Sequence, residues 1–101
     1  MENKLVGQVD QEQINKWKAL HKDVYAVTVD GSICYLKKPT RATISHMATL
    51  STNPIRANEV LLNDTWLGGD ETIKTDDDKF LGVTSQLATI VEIKEAEIKK
   101  L

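Results

Sequence analysis

Cysteine occurs once in this 101-residue sequence, at Cys34, so an internal disulfide is excluded. Small secreted domains ordinarily carry several paired cysteines as staples, and a chain without them is expected in a reducing compartment. Aromatic residues make up only 5% of the chain, so Leu, Ile, Val and Ala must build most of any core. Neither sign of charge dominates, with 13 Lys and Arg against 15 Asp and Glu. Gripping the phosphates of a duplex needs a clear surplus of bases, so nucleic acid is not an expected partner. No apolar run approaches the roughly 20 residues that cross a bilayer, so no membrane partner is expected. Met1-Glu2-Asn3-Lys4-Leu5 lacks the basic stretch and apolar block of a signal peptide, which makes the cytoplasm the expected location.

What is present fits one small domain. The apolar fraction is 41% and the charged fraction 28%, both close to globular averages. The expectation is a single α+β domain over residues 1–101. An N-terminal helix and a β-hairpin lead into a helical bundle that ends in a long helix. Residues 1–9 are polar and unpatterned, and are expected to form a flexible arm.

Asp10 is a suitable cap for a helix to about His21, in which Ile14, Trp17, Ala19 and Leu20 recur at helical spacing. Next come two runs dense in β-branched and aromatic residues, Val24–Val29 and Ile33–Leu36, around Asp30-Gly31. That dipeptide suits a two-residue turn with positive φ at both positions. Such a turn pairs Val27 with Cys34 and Tyr25 with Leu36, whereas a turn that includes Ser32 changes every partner. Lys37-Lys38-Pro39-Thr40 ends the hairpin, because proline cannot donate to a ladder. A second helix is predicted from Arg41 to about Leu50. A third is predicted from Pro54, capped by Asn53 or Thr52, to Leu67, with Gly68-Gly69 as its stop. Asp70 to Asp78 reads as an acidic loop. Thr75 then serves as the hydroxyl cap of a long amphipathic helix carrying Phe80, Leu81, Leu87, Ile90, Val91, Ile98 and Leu101, with Gly82 as a point of interruption.

No catalytic residue or cofactor site emerges. Gly68-Gly69-Asp70-Glu71 matches the letters of the diguanylate cyclase signature. That signature belongs to a hairpin in a larger domain with an aromatic at the next position, where this chain has Thr72. The acids Asp70, Glu71, Asp76, Asp77 and Asp78 lack the alternation and central glycine of a calcium loop, so solvated helix-capping acids are expected. His21 and His46 have no nearby ligand partner, so no metal site is expected; His21 suits a helix C-terminus and His46 the edge of the core. Cys34 fits a small buried hydrophobe in a strand. Trp17 and Trp66 suit core anchors, with interface anchors as the alternative. Candidate protein-binding residues are Trp66 and Leu62, together with the basic cluster Lys37, Lys38 and Arg41. That cluster could meet the acidic Asp70–Asp78 stretch of a neighbouring copy in a head-to-tail homo-oligomer.

Several segments carry a resemblance: Ile14-Asn15-Lys16-Trp17-Lys18, Val24-Tyr25 through Asp30-Gly31, and Tyr35 through Arg41. So do Asn53-Pro54-Ile55, Asn58-Glu59, Leu61-Leu62-Asn63, Trp66 through Asp70, and Lys94 to Leu101. Over nearly its whole length the chain resembles a small protein of Bacteroides-type prophages and tailed phages. In size and layout it is similar to phage tail-assembly chaperones. The resemblance implies a non-enzymatic protein that coats the apolar helices of the tape-measure protein in the bacterial host cytoplasm. It brings no site residues with it. An apolar groove formed by Trp66, Leu62 and the Leu87–Ile98 face would suit such a partner. A structural virion subunit (capsid, connector or tail) and an inhibitor that binds a host protein remain open alternatives.

Overall fold

The structure is a computed structural model that describes residues 5–87 and 96–101. The fold is α+β. Helix α1 (Gln11–His21) precedes strands β1 (Val24–Val29) and β2 (Ser32–Lys37). Helices α2 (Arg41–Ala48) and α3 (Pro54–Thr65) follow, then strand β3 (Trp66–Gly69), the single turn α4 (Thr72–Thr75) and α5 (Asp77–Thr84). The three strands form one antiparallel sheet in the order β1-β2-β3, so β2 is central.

Local chemistry sets most of the boundaries. The Asp10 carboxylate accepts from the Gln13 amide at 2.9 Å and starts α1. Thr40 and Asn53 cap α2 and α3 in the same way, and Pro54 occupies the first turn of α3, where its missing N–H costs nothing. The hairpin turn is Asp30-Gly31 alone, with φ of 44° and 74°. Its register pairs Val27 with Cys34 and Tyr25 with Leu36, the two-residue alternative.

The sheet is covered on both faces. Cys34 and Leu36 point into the main core, where Leu61, Leu62, Ile73, Val83 and Leu87 meet them. Tyr25, Val27 and Val29 of β1 pack on the same side. Tyr35 points the other way, and the Trp17 ring of α1 lies against it with centroids 5.3 Å apart. Trp17 also lies over Gly68, where an added Cβ would come within 3.0 Å of the indole. A period of two along β2 thus sends alternate residues to two separate helical layers.

The structure corrects the reading of Trp66–Gly69. The third helix ends at Thr65, and the next four residues are β3, with a register shift between Tyr35 and Leu36 that skips Leu67. The two glycines act as close-approach residues of a strand. Gly69 has φ of 133°, and a Cβ there would lie 2.5 Å from the Cys34 Cα. Only glycine lets the two backbones come so near.

Other boundaries shift as well. Asp76, rather than Thr75, caps α5 by accepting from the Lys79 amide at 3.0 Å. Gly82 does not interrupt α5; it lets the helix settle on β1, since a Cβ there would lie 2.8 Å from Val29. The long C-terminal helix is not observed over the described residues. α5 stops at Thr84, residues 96–101 have no regular structure, and the stretch from 88 to 95 lies outside the described residues. Residues 5–9, read as a loose arm, run beside β2. Val6 donates to Gly31 O and accepts from the Ile33 amide, each at 2.9 Å.

Candidate functional site

Among the described residues, a cleft between α3 and the α4–α5 unit has a shape suited to binding. Helical spacing places Ile55, Glu59, Leu62 and Asn63 along one face of α3, at i, i+4, i+7 and i+8. Lys74 of α4 and Asp77 and Phe80 of α5 form the facing wall. The α4–α5 unit is held there by Ile73 and Val83, both fully buried in the core. The cleft encloses about 180 Å³. Small-molecule sites run to roughly 300–1,000 Å³, so this volume suits an apolar side chain or two from a larger partner.

Its lining mixes three apolar side chains, Ile55, Leu62 and Phe80, with the polar or charged Glu59, Asn63, Lys74 and Asp77. Of the apolar three, Leu62 is buried and Ile55 stands 55% exposed. Over residues 54–84 the sequence has seven acids (Glu59, Asp64, Asp70, Glu71, Asp76, Asp77, Asp78) and three bases (Arg56, Lys74, Lys79). Each base is engaged: Arg56 with Glu59 at 3.0 Å, Lys74 with Glu71 at 3.1 Å, and Lys79 with Asp70 at 3.6 Å. In the lining itself Glu59 and Asp77 outnumber Lys74, a surplus of one negative charge.

The proposed binding residues separate into three groups. Leu62 is a buried residue of the cleft lining. Trp66 lies outside the lining, half-buried in β3 and packed on the core, with the Lys74 ammonium 4.3 Å from its ring centre. That cation–π contact makes Lys74 a link between cleft and Trp66. Lys37 and Lys38 lie half-buried at the end of β2 and just past it, and Arg41 is exposed at the start of α2; none of the three lines the cleft. Of the Leu87–Ile98 face, Leu87 belongs to the core and Ile98 is fully exposed.

Sequence reasoning missed Ile55, Glu59, Asn63, Lys74, Asp77 and Phe80 as one site. The α3 half was readable in the helical spacing from Ile55 to Asn63. The facing wall was not, because the direction of the chain after Gly69 depends on β3 pairing with β2.

A second constellation surrounds Asp70. Ser32 donates to its Oδ2 at 2.6 Å, the Thr72 amide donates to Oδ1 at 3.0 Å, and Lys79 lies beside it. The Ser32 hydroxyl, the two bonds from Thr72 and the Lys79 charge together hold the carboxyl at about 2, below the usual aspartate range. These contacts tie β2, the β3–α4 turn and α5 together, a structural role for Asp70 in the Gly68-Gly69-Asp70-Glu71 motif. Cys34 is wholly buried, and desolvation raises its thiol to about 11. His46 is exposed in the last turn of α2 instead of edging the core. Among the described residues, no three His, Cys, Asp or Glu side chains come together to hold a metal. No described helix is long and apolar enough to cross a membrane.

No family model, no curated protein and no solved structure matches the chain.

Proposed function

We propose that this chain is a non-enzymatic binding protein that takes an apolar protein segment in the α3–α5 cleft. The observation that carries the reading is Ile55, a large apolar side chain left 55% exposed in a cleft that Leu62 and Phe80 also line. Apolar side chains lining a groove are what helix-in-groove recognition uses, in which a few anchors of an amphipathic helix enter the groove. The family resemblance directs this reading to the tape-measure protein of a tailed phage, with the chain acting as a tail-assembly chaperone in the bacterial host cytoplasm. The alternatives are a structural virion subunit (capsid, connector or tail) and an inhibitor that binds a host protein.

The test is gel filtration with light scattering, with and without a co-expressed tape-measure fragment. A defined complex that keeps the fragment in solution, and that Ile55→Asp abolishes, supports the chaperone reading. A fragment that aggregates regardless of the chain sinks it. Detection in purified particles would transfer the function to a virion subunit.

A further inference from the structure

We propose that the α3–α5 cleft binds residues 96–101 of a second copy of this chain, joining copies head to tail; the proposal rests on the reading of the cleft as a protein-binding site. Ala96-Glu97-Ile98-Lys99-Lys100-Leu101 carries no helix or strand, and Ile98 and Leu101 are 102% and 109% exposed. Those are the two most exposed large apolar side chains among the described residues. They are three positions apart, so one helical turn brings both to the same side, with Lys99 and Lys100 flanking them.

The cleft offers the complement. Ile55, Leu62 and Phe80 are its apolar lining, and its volume suits one or two aliphatic side chains. Asp77 also lines it, and the three bases of this region are engaged by other acids. The segment carries two apolar anchors and a net positive charge, Lys99 and Lys100 against Glu97, and the cleft lining a net negative one, Glu59 and Asp77 against Lys74. Both anchors are exposed within the chain and so are free to enter the cleft of a neighbour. Cleft and segment are different surfaces of one chain, so the contact is heterologous and leaves a free cleft at one end and a free segment at the other. Copies then add in series, to a ring or an open filament.

The experiment is sedimentation velocity of the full chain over roughly a hundredfold range of concentration. The comparison is with Ile55→Asp, which disables the cleft at an exposed position, and with the double variant Ile98→Asp/Leu101→Asp, which disables the segment. Neither change touches the core. The wild-type chain is expected to grow with concentration, and each variant to stay monomeric. An equimolar mixture of the two variants is expected to stop at a dimer, because it contains one working cleft and one working segment. A labelled peptide of residues 94–101 is expected to bind the double variant at least about tenfold more tightly than it binds Ile55→Asp. A wild-type chain that stays monomeric, or variants that associate as it does, overturns the proposal. An unrelated peptide with Leu and Lys at helical spacing separates the two failures. If it binds the double variant but not Ile55→Asp, the cleft remains a protein site and only the second-copy occupant is wrong. If it binds neither, the cleft reading falls as well.

Discussion

The Ser32 hydroxyl donates a 2.6 Å hydrogen bond to the Asp70 carboxylate, joining the start of β2 to the β3–α4 turn across 38 positions of sequence. Both side chains are buried, at 1% and 8% exposure. Buried polar groups are tolerated when every partner is supplied, and here the Thr72 amide and Lys79 complete the set. The contact fixes where the chain turns after β3, and hence where α4 and α5 sit opposite α3.

Stability at low pH should follow from this carboxylate. Its value in the fold is about 2, and an unfolded chain's aspartate titrates near ~3.9. A lowered folded value means that the contribution is fully present above the unfolded value and is lost as pH falls toward about 2. In urea titrations Asp70→Asn should have a lower midpoint than the wild type near neutral pH. The gap should close as pH falls from about 4 toward 2. A gap that does not change with pH would show that Asp70 contributes through shape alone.

Two glycines of similar φ sign should respond very differently to substitution. A Cβ on Gly31 meets nothing within 4 Å, so Gly31→Ala should cost only the left-handed penalty of about 1–2 kcal/mol. A Cβ on Gly69 meets the Cys34 Cα and the Ile33 carbonyl oxygen, each at 2.5 Å. Gly69→Ala should therefore cost on the order of 3 kcal/mol or more, since backbone must move as well as strain. Thermal melts of the two variants side by side check this.

Two lining residues of the cleft should separate stability from binding. Leu62→Ala removes a side chain that is 1% exposed and should destabilise by about 2–5 kcal/mol. Ile55→Asp changes a 55% exposed residue and should move stability by roughly 0.5 kcal/mol or less, yet abolish partner binding. Chemical denaturation paired with a binding titration reads both quantities. An Ile55→Asp chain that still binds would place the partner elsewhere.

Cys34 should be inert in the folded protein. It has no exposed surface, and burial raises the thiol to about 11, so little thiolate exists near neutral pH. A thiol-directed disulfide reagent should react roughly a hundredfold or more slowly with the native chain than with the chain in denaturing urea. Equal rates would mean that β2 opens readily from the core.

The sequence by itself determined much of what local chemistry decides, though not the cap of α5, which is Asp76 and not Thr75. The Asp30-Gly31 turn follows from which residues accept positive φ, and the cap at Asp10 from a side chain that reaches the first free amides, whereas the structure chose between the two hairpin registers and between Asn53 and Thr52 as the cap of α3. The α+β class, the burial of Cys34 and the start of α3 at Pro54 were legible for the same reason. Leu62 was legible as a candidate because it recurs on the apolar face of α3.

Tertiary structure alone decided the rest. Trp66–Gly69 carries no strand pattern of its own; it pairs with β2 as β3, where Gly69 admits the close approach to Cys34 and Gly68 leaves room for the Trp17 ring. That pairing, with the Ser32–Asp70 bond beyond it, brings Lys74, Asp77 and Phe80 to face Ile55 and Leu62. The cleft is a product of long-range pairing, and spacing along the chain registers only neighbours within a turn or two.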